Sequence, residues 1–313
     1  MPRRRRVGSL AASTAAALLA LVGCGAQQAV EIRVTTTAAT AVEESTTSLR
    51  NPHGSTASPT AGEADLVTES SGPVPLLGHF VPVVVAEYPH DPTAWTQGLE
   101  WYDGRLLEST GLNGRSSLRL VDVETGRSEE LVTVPDDLYA EGATVVDGRA
   151  VQLTYRDRTL LVTELSNGLG TEPTQRRADA YDTEGWGLCY DGSRLVMTDG
   201  SSQLFFRDAE TFELLDTVPV RLAERPIEGL NELECVGDQV LANVWLTNDI
   251  VAIDPATGMI EGSIDASALV PEGYEGGPDG AVLNGIAYNH ETGTFWLTGK
   301  LWPVLYEVSF TPA

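Results

Sequence analysis

One pattern recurs five times between residue 97 and the C-terminus, and it limits the possible folds more than any other feature. It reads Gln97-Gly-Leu-Glu-Trp-Tyr-Asp-Gly104, Glu141-Gly-Ala-Thr-Val-Val-Asp-Gly148, Trp186-Gly-Leu-Cys-Tyr-Asp-Gly192, Asn231-Glu-Leu-Glu-Cys-Val-Gly237 and Asn284-Gly-Ile-Ala-Tyr-Asn289. The second residues, 98, 142, 187, 232 and 285, lie 44, 45, 45 and 53 positions apart. After each start, an Asp-Gly-type turn leads into a short alternating strand, expected over 105–109, 150–154, 194–198, 240–243 and 294–298. A further strand follows, over 117–121, 159–165, 203–207, 249–253 and 304–308. Alternating apolar residues bounded by Gly, Asp and Asn are hairpin signals. No long 3.6-residue apolar stripe interrupts them, so helices are minor. Four short strands in about 45 residues make a propeller blade. Five such units predict an all-β, five-bladed β-propeller. The last unit is one strand short at the C-terminus, and the β-rich run 80–88 precedes the first repeat. That run is expected to supply the outer strand of the last blade and so close the ring.

The N-terminal residues read as an address. Arg3 to Arg6 form a charged stretch, and 7–22 are apolar or small and too short to span a membrane comfortably. The stretch ends Leu21-Val22-Gly23-Cys24, which resembles the lipobox of bacterial lipoproteins. Residues 1–23 are therefore expected to be a lipoprotein signal peptide, with Cys24 lipidated. Residues 24–75 are rich in Thr, Ser, Ala, Glu and Pro, cannot bury enough apolar surface to fold, and are read as a flexible stalk. The propeller domain is assigned to 76–313. The implied location is the outer face of a bacterial cell membrane, held there only through the lipid. In that setting the two remaining cysteines, Cys189 and Cys235, are either a disulfide or two buried thiols.

The formal charge is −25, or −29 without the four N-terminal arginines. Such a chain repels nucleic acid and anionic headgroups, which excludes nucleic-acid partners. Nineteen of its twenty basic residues are Arg, and the one Lys is Lys300. Arg does not replace Lys where a compact point charge must fit a tight site.

In a propeller, equivalent positions of the blades converge on the central axis. The first residues of the repeats, Gln97, Glu141, Trp186, Asn231 and Asn284, form one ring at one mouth. The residues ending the next strands, Thr110, Tyr155, Asp199, Trp245 and Lys300, form a second. Turn positions of purely structural origin would repeat Gly, Ser or Asp, whereas here each blade offers a different functional group. The stretches Trp95-Thr-Gln97-Gly-Leu-Glu, Glu108-Ser-Thr-Gly-Leu, Glu184-Gly-Trp186-Gly-Leu, Leu230-Asn231-Glu-Leu-Glu, Ala242-Asn-Val-Trp245, Leu283-Asn284-Gly-Ile-Ala and Thr298-Gly-Lys300-Leu-Trp302-Pro resemble the plant and bacterial type of glutaminyl cyclase. The resemblance runs from about residue 85 to 310. It implies a five-bladed propeller that cyclises N-terminal Gln of peptides or proteins to pyroglutamate, releasing ammonia.

By that resemblance Glu141 carries the proton and Lys300 faces the developing oxyanion. Trp95, Gln97, Tyr155, Trp186, Asn231 and Trp245 hold the substrate. Trp95 replaces Phe and Tyr155 replaces Trp of the plant enzymes, so the wall stays aromatic. Trp101, Trp296 and Trp302 are assigned to packing. His53, His79, His90 and His290 are scattered without metal-ligand spacing, and neither a catalytic metal nor a cofactor is expected. The expected partner is a peptide or protein with N-terminal Gln, and the expected state is a monomer. The alternatives are a non-catalytic envelope propeller that binds peptides or glycans, and a propeller enzyme that uses a cation held by several carboxylates.

Overall fold

A computed structural model of the chain describes residues 73–165, 174–179, 181–277 and 280–313. The signal peptide and Cys24 lie outside the described residues, as does all but the last three residues of the stalk. Among the described residues the architecture is all-β, with a single 3-10 turn over Ser267–Leu269 and no α-helix.

The chain enters through a long strand, β1 (Gly78–Pro89). The first four-stranded antiparallel meander is β2 (Thr96–Tyr102), β3 (Arg105–Thr110), β4 (Ser117–Asp122) and β5 (Arg127–Thr133). The second is β6 (Ala140–Val146), β7 (Arg149–Thr154), β8 (Thr159–Glu164) and β9 (Thr174–Asp179). The third is β10 (Leu188–Tyr190), β11 (Arg194–Met197), β12 (Gln203–Asp208) and β13 (Leu214–Pro219). A two-stranded ribbon, β14 (Arg221–Leu222) and β15 (Arg225–Pro226), comes next. The fourth meander is β16 (Leu230–Val236), β17 (Gln239–Val244), β18 (Asp249–Ile253) and β19 (Ile260–Asp265). The chain ends with β20 (Leu283–Asn289), β21 (Thr294–Gly299) and β22 (Val304–Pro312).

The last three strands gain a fourth from the other end of the chain. β1 pairs antiparallel with β22, from Phe80 opposite Pro312 to Pro89 opposite Val304. Its first residues also run parallel to β19, with Gly78–Phe80 opposite Gly262–Ile264, which joins the fourth and fifth units into one eight-stranded sheet.

Local chemistry explains the hairpins. β2–β3 and β6–β7 turn through Asp103-Gly104 and Asp147-Gly148, and all four residues have positive φ. This is the I′ geometry whose twist matches that of the strands it joins.

The first strands of the five units contact one another in a closed sequence: β2 with β6, β6 with β10, β10 with β16, β16 with β20, and β20 with β2. The core is divided in the same way, and each apolar cluster spans two successive units. Leu107, Leu118, Ala143 and Ala150 fill the first interface. Val151, Leu153, Leu195 and Met197 fill the second, and Phe206, Val196, Leu233 and Val240 the third. Leu241, Ile250, Ile286 and Leu297 fill the fourth, while Leu99, Leu106, Trp296 and Leu305 fill the seam between last and first. Each sheet thus buries both faces against neighbours, as stacked sheets require. Trp101 and Trp296 stack at this seam, with ring centroids 5.7 Å apart, and Trp302 is fully buried nearby.

Two further devices hold the units together. Cys189 of β10 and Cys235 of β16 form a disulfide between neighbouring first strands. At the seam, buried His90 bonds the Trp302 carbonyl at 2.8 Å and Glu108 at 3.1 Å, and Arg119 bonds Glu108 at 2.8 Å and Asp91 at 2.9 Å. A fully paired buried charge network of this kind is tolerated, whereas half of one is not.

Candidate active site

Four of the five first strands carry a register irregularity at the same place. The ladders slip between Thr96 and Gly98, between Ala140 and Ala143, between Leu230 and Leu233, and between Leu283 and Ile286. The repeats' opening residues, Gln97, Glu141, Asn231 and Asn284, fall inside those slips. A bulge takes a residue out of the ladder and re-aims its side chain. In three of the four a glycine follows and lets adjacent strands close up: a Cβ on Gly142 would meet the Trp186 carbonyl oxygen at 2.6 Å. The backbone exploits that approach, with Gly142 N–H donating to the same carbonyl at 2.7 Å.

Glu141 and Lys300 are both 5% exposed. Lys300 is reached from the end of β21, and its N–H donates to the Val282 carbonyl at 2.9 Å. Its Nζ lies 5.8 Å from the centre of the Trp95 ring. Burial pushes the Glu141 carboxyl well above its ordinary range, the Glu184 charge adds to that, and Lys300 opposes it. Burial pulls the Lys300 ammonium down to about 8 against the attraction of Glu141. An acid raised and a base lowered by the same dry surroundings have proton affinities that approach one another, which favours proton transfer in both directions.

Beside this pair stands a run of rings. Tyr139 meets Tyr155 at 5.8 Å, Tyr155 meets Trp186 at 6.5 Å, and Trp186 meets Trp245 edge-on at 5.5 Å. Trp245 forms the outer lip, at 41% exposed. Gln97 Nε2 donates to the Tyr139 hydroxyl at 3.3 Å, while its Oε1 is buried with no partner among the described residues. An orphaned buried acceptor beside this pair is a place for a ligand's donor. Asn231 is buried next to Gly187, and its carbonyl accepts the Thr198 hydroxyl at 2.8 Å.

Glu141, Lys300, Trp95, Gln97, Tyr155, Trp186 and Trp245 are thus linked by contact or field, with Asn231 beside them. The other members of the two rings turn to local structure. The Asn284 amide donates to the Thr96 carbonyl at 3.0 Å, Thr110 pairs with Ser117 at 2.9 Å, and Asp199 accepts from Ser201 N–H at 3.0 Å. Two residues given no role from sequence also face the pocket. Tyr139 receives Gln97, and Glu184 receives the Trp186 indole at 3.2 Å and Arg156 at 2.8 Å. Each lies two positions before a pocket residue, which is the one sequence signal that points to them.

Among the described residues no group of three or more His, Cys, Asp or Glu is arranged to hold a metal ion. The geometry defines an all-β protein with one enclosed carboxyl–ammonium pair set in an aromatic wall, fit for moving a proton on a small uncharged group.

Comparison with known proteins gives this class its family. Residues 62–310 match the model of the glutamine cyclotransferase family, and the chain belongs to it. A glutaminyl-peptide cyclotransferase of Arabidopsis thaliana is 40% identical over 233 residues, covering 74% of this chain and 71% of that one. The crystal structure of Myxococcus xanthus glutaminyl cyclase is similar at 37% identity with a TM-score of 0.65, covering 77% of this chain and all of that one.

Proposed function

We propose that this chain is a glutaminyl-peptide cyclotransferase: it converts the N-terminal Gln of peptides or proteins to pyroglutamate and releases ammonia. The observation that carries the reading is the buried Glu141–Lys300 pair inside the aromatic wall of a member of this family. The α-amine nitrogen attacks the γ-amide carbon, so one C–N bond forms. Glu141 takes the proton that the amine sheds and passes it to the departing amide nitrogen as the second C–N bond breaks. The Lys300 ammonium faces the oxygen on which negative charge develops. The unpartnered Gln97 Oε1 accepts from a substrate N–H, and Asn231 flanks it. Trp95, Tyr155, Trp186 and Trp245 enclose the apolar stem of Gln. Folding that stem back on its own amine supplies proximity without a second reactant.

The finer architecture belongs to the same reading. The closed sequence of contacts between first strands, the five two-unit cores and the capture of β1 by β22 support a five-bladed propeller closed by an N-terminal strand. The lipobox-like Leu21-Val22-Gly23-Cys24 supports export and lipid anchoring at Cys24, with 24–75 as the stalk. We expect a monomer.

Ammonia release from a Gln-initiated dipeptide by the full-length chain, with and without EDTA, tests the reaction. Release in both conditions supports a metal-independent cyclase. No release from the folded protein would remove the enzymatic reading in favour of a binding propeller, and release abolished by EDTA would mean that a metal takes part.

A further inference from the structure

Glu184 stands beside the Glu141 cluster and joins two of its neighbours. It lies in the segment between β9 and β10, two residues before Trp186. One carboxylate oxygen accepts the Trp186 indole N–H at 3.2 Å, and the other pairs with Arg156 Nε at 2.8 Å. Arg156 in turn lies over the Tyr155 ring, 4.6 Å from its centre. The backbone ties the same segments together: Gly185 N–H donates to the Tyr155 carbonyl at 3.0 Å, and Gly142 N–H to the Trp186 carbonyl. Glu184 thus bonds Trp186 directly and reaches the Tyr155 ring through Arg156, while its neighbours Gly185 and Trp186 bond Tyr155 and Gly142, the residue after Glu141.

We propose that Glu184 is a positioning residue of this site, joining Trp186, Arg156 and Tyr155 into one rigid wall and setting a fixed negative charge beside Glu141. This rests on Glu141 as the proton carrier. The arrangement has two separable consequences. Geometry holds Trp186 and Tyr155 where the substrate stem must lie. Charge acts on Glu141, whose other ionisable neighbours are Lys300, Tyr139, Tyr155 and Tyr181. Of these only Lys300 opposes the Glu184 field, and Glu184 adds to the effect of burial in keeping the Glu141 proton bound. Arg156, paired with Glu184 at the rim, moderates that field.

The test is the pH profile of kcat at saturating Gln-initiated dipeptide, using the full-length chain with Glu184→Gln, Arg156→Gln and Glu141→Gln. Neutralising Glu184 removes a charge that raises Glu141, so the acidic limb moves to lower pH, by about 0.5–1 unit. Neutralising Arg156 uncovers the Glu184 charge, so the same limb moves to higher pH. The alkaline limb, set by Lys300, stays in place in both variants. Loss of the Trp186 anchor raises KM for Glu184→Gln by several-fold, about 3–10. Arg156 is largely exposed, so its variant folds even where the Glu184 variant does not, and an upward shift in it alone sustains the proposal. An acidic limb unmoved in both variants, with Glu141→Gln inactive, overturns the role of Glu184 and leaves the cyclase reading intact. An active Glu141→Gln overturns both.

Discussion

Glu141 and Glu232 occupy first strands of the same closed sequence, both almost wholly buried and both pushed well above the ordinary carboxylate range by burial. They differ in what they touch. Glu232 spans the interior: one oxygen accepts Leu99 N–H of β2 at 3.2 Å and the other Ile286 N–H of β20 at 2.8 Å. Glu234 accepts Tyr288 N–H at 2.9 Å, and Glu100 accepts the Thr144 hydroxyl at 2.7 Å. These carboxyls cross-link strands. Glu141, which like Glu232 sits in a register slip, instead faces an ammonium and borders an aromatic wall with an unpartnered amide oxygen. Burial and a raised proton affinity are common to both regions, so neither marks a site. The partner set does: both Glu232 oxygens are committed to backbone donors of two other strands, whereas Glu141 lies in the field of an ammonium.

The comparison can be broken by substitution, and the largest effect belongs to Glu141. Glu141→Gln keeps shape and removes the proton carrier, and kcat for ammonia release is expected to fall about 10³-fold at unchanged melting temperature. Lys300→Met follows, with a loss of about 10²-fold. In the wild-type protein an alkaline limb near pH 8 is expected from the same residue, since its cation is lost as pH rises through about 8. Glu232→Gln should do the reverse of Glu141→Gln. An amide NH₂ would face one of the two backbone N–H groups, destabilising the fold by about 1–3 kcal/mol, read by denaturant unfolding, with kcat within about twofold of wild type. The smallest effect concerns pH. Burial raises the Glu100 carboxyl from 4.5 to about 7. The folded chain then holds a proton that the unfolded chain has released, so this contribution is lost as pH rises from about 4.5 to about 7. Melting temperature should fall across that window, and the slope should flatten in Glu100→Gln.

The five repeats made most of the sheet order legible. The ten strands anticipated after the repeat starts all form, and 80–88 lies within β1, beside β22. The repeat also fixes the phase of every strand, which is why Gln97, Glu141, Asn231 and Asn284 all fall at the register slips. Side-chain direction at those slips was not legible. Asn284 shares its position with Gln97 and Asn231, yet its amide turns to Thr96, since the choice depends on how far each bulge rotates the residue. Tyr139 was not singled out, and Glu184 was quoted only as part of a motif without a role, because both precede the repeat and act through loops whose course is set by neighbouring units. His90 read as an isolated histidine. Its partners Glu108 and Trp302 come from opposite ends of the repeat and meet only when the seam closes.

The most direct test of the central claim is ammonia release by Glu141→Gln and Glu232→Gln measured side by side, each matched to its own unfolding curve. The account predicts an inactive, stable Glu141 variant and an active, destabilised Glu232 variant. A Glu141 variant that releases ammonia at the wild-type rate would contradict it, as would two variants that lose activity only in proportion to the folded protein remaining.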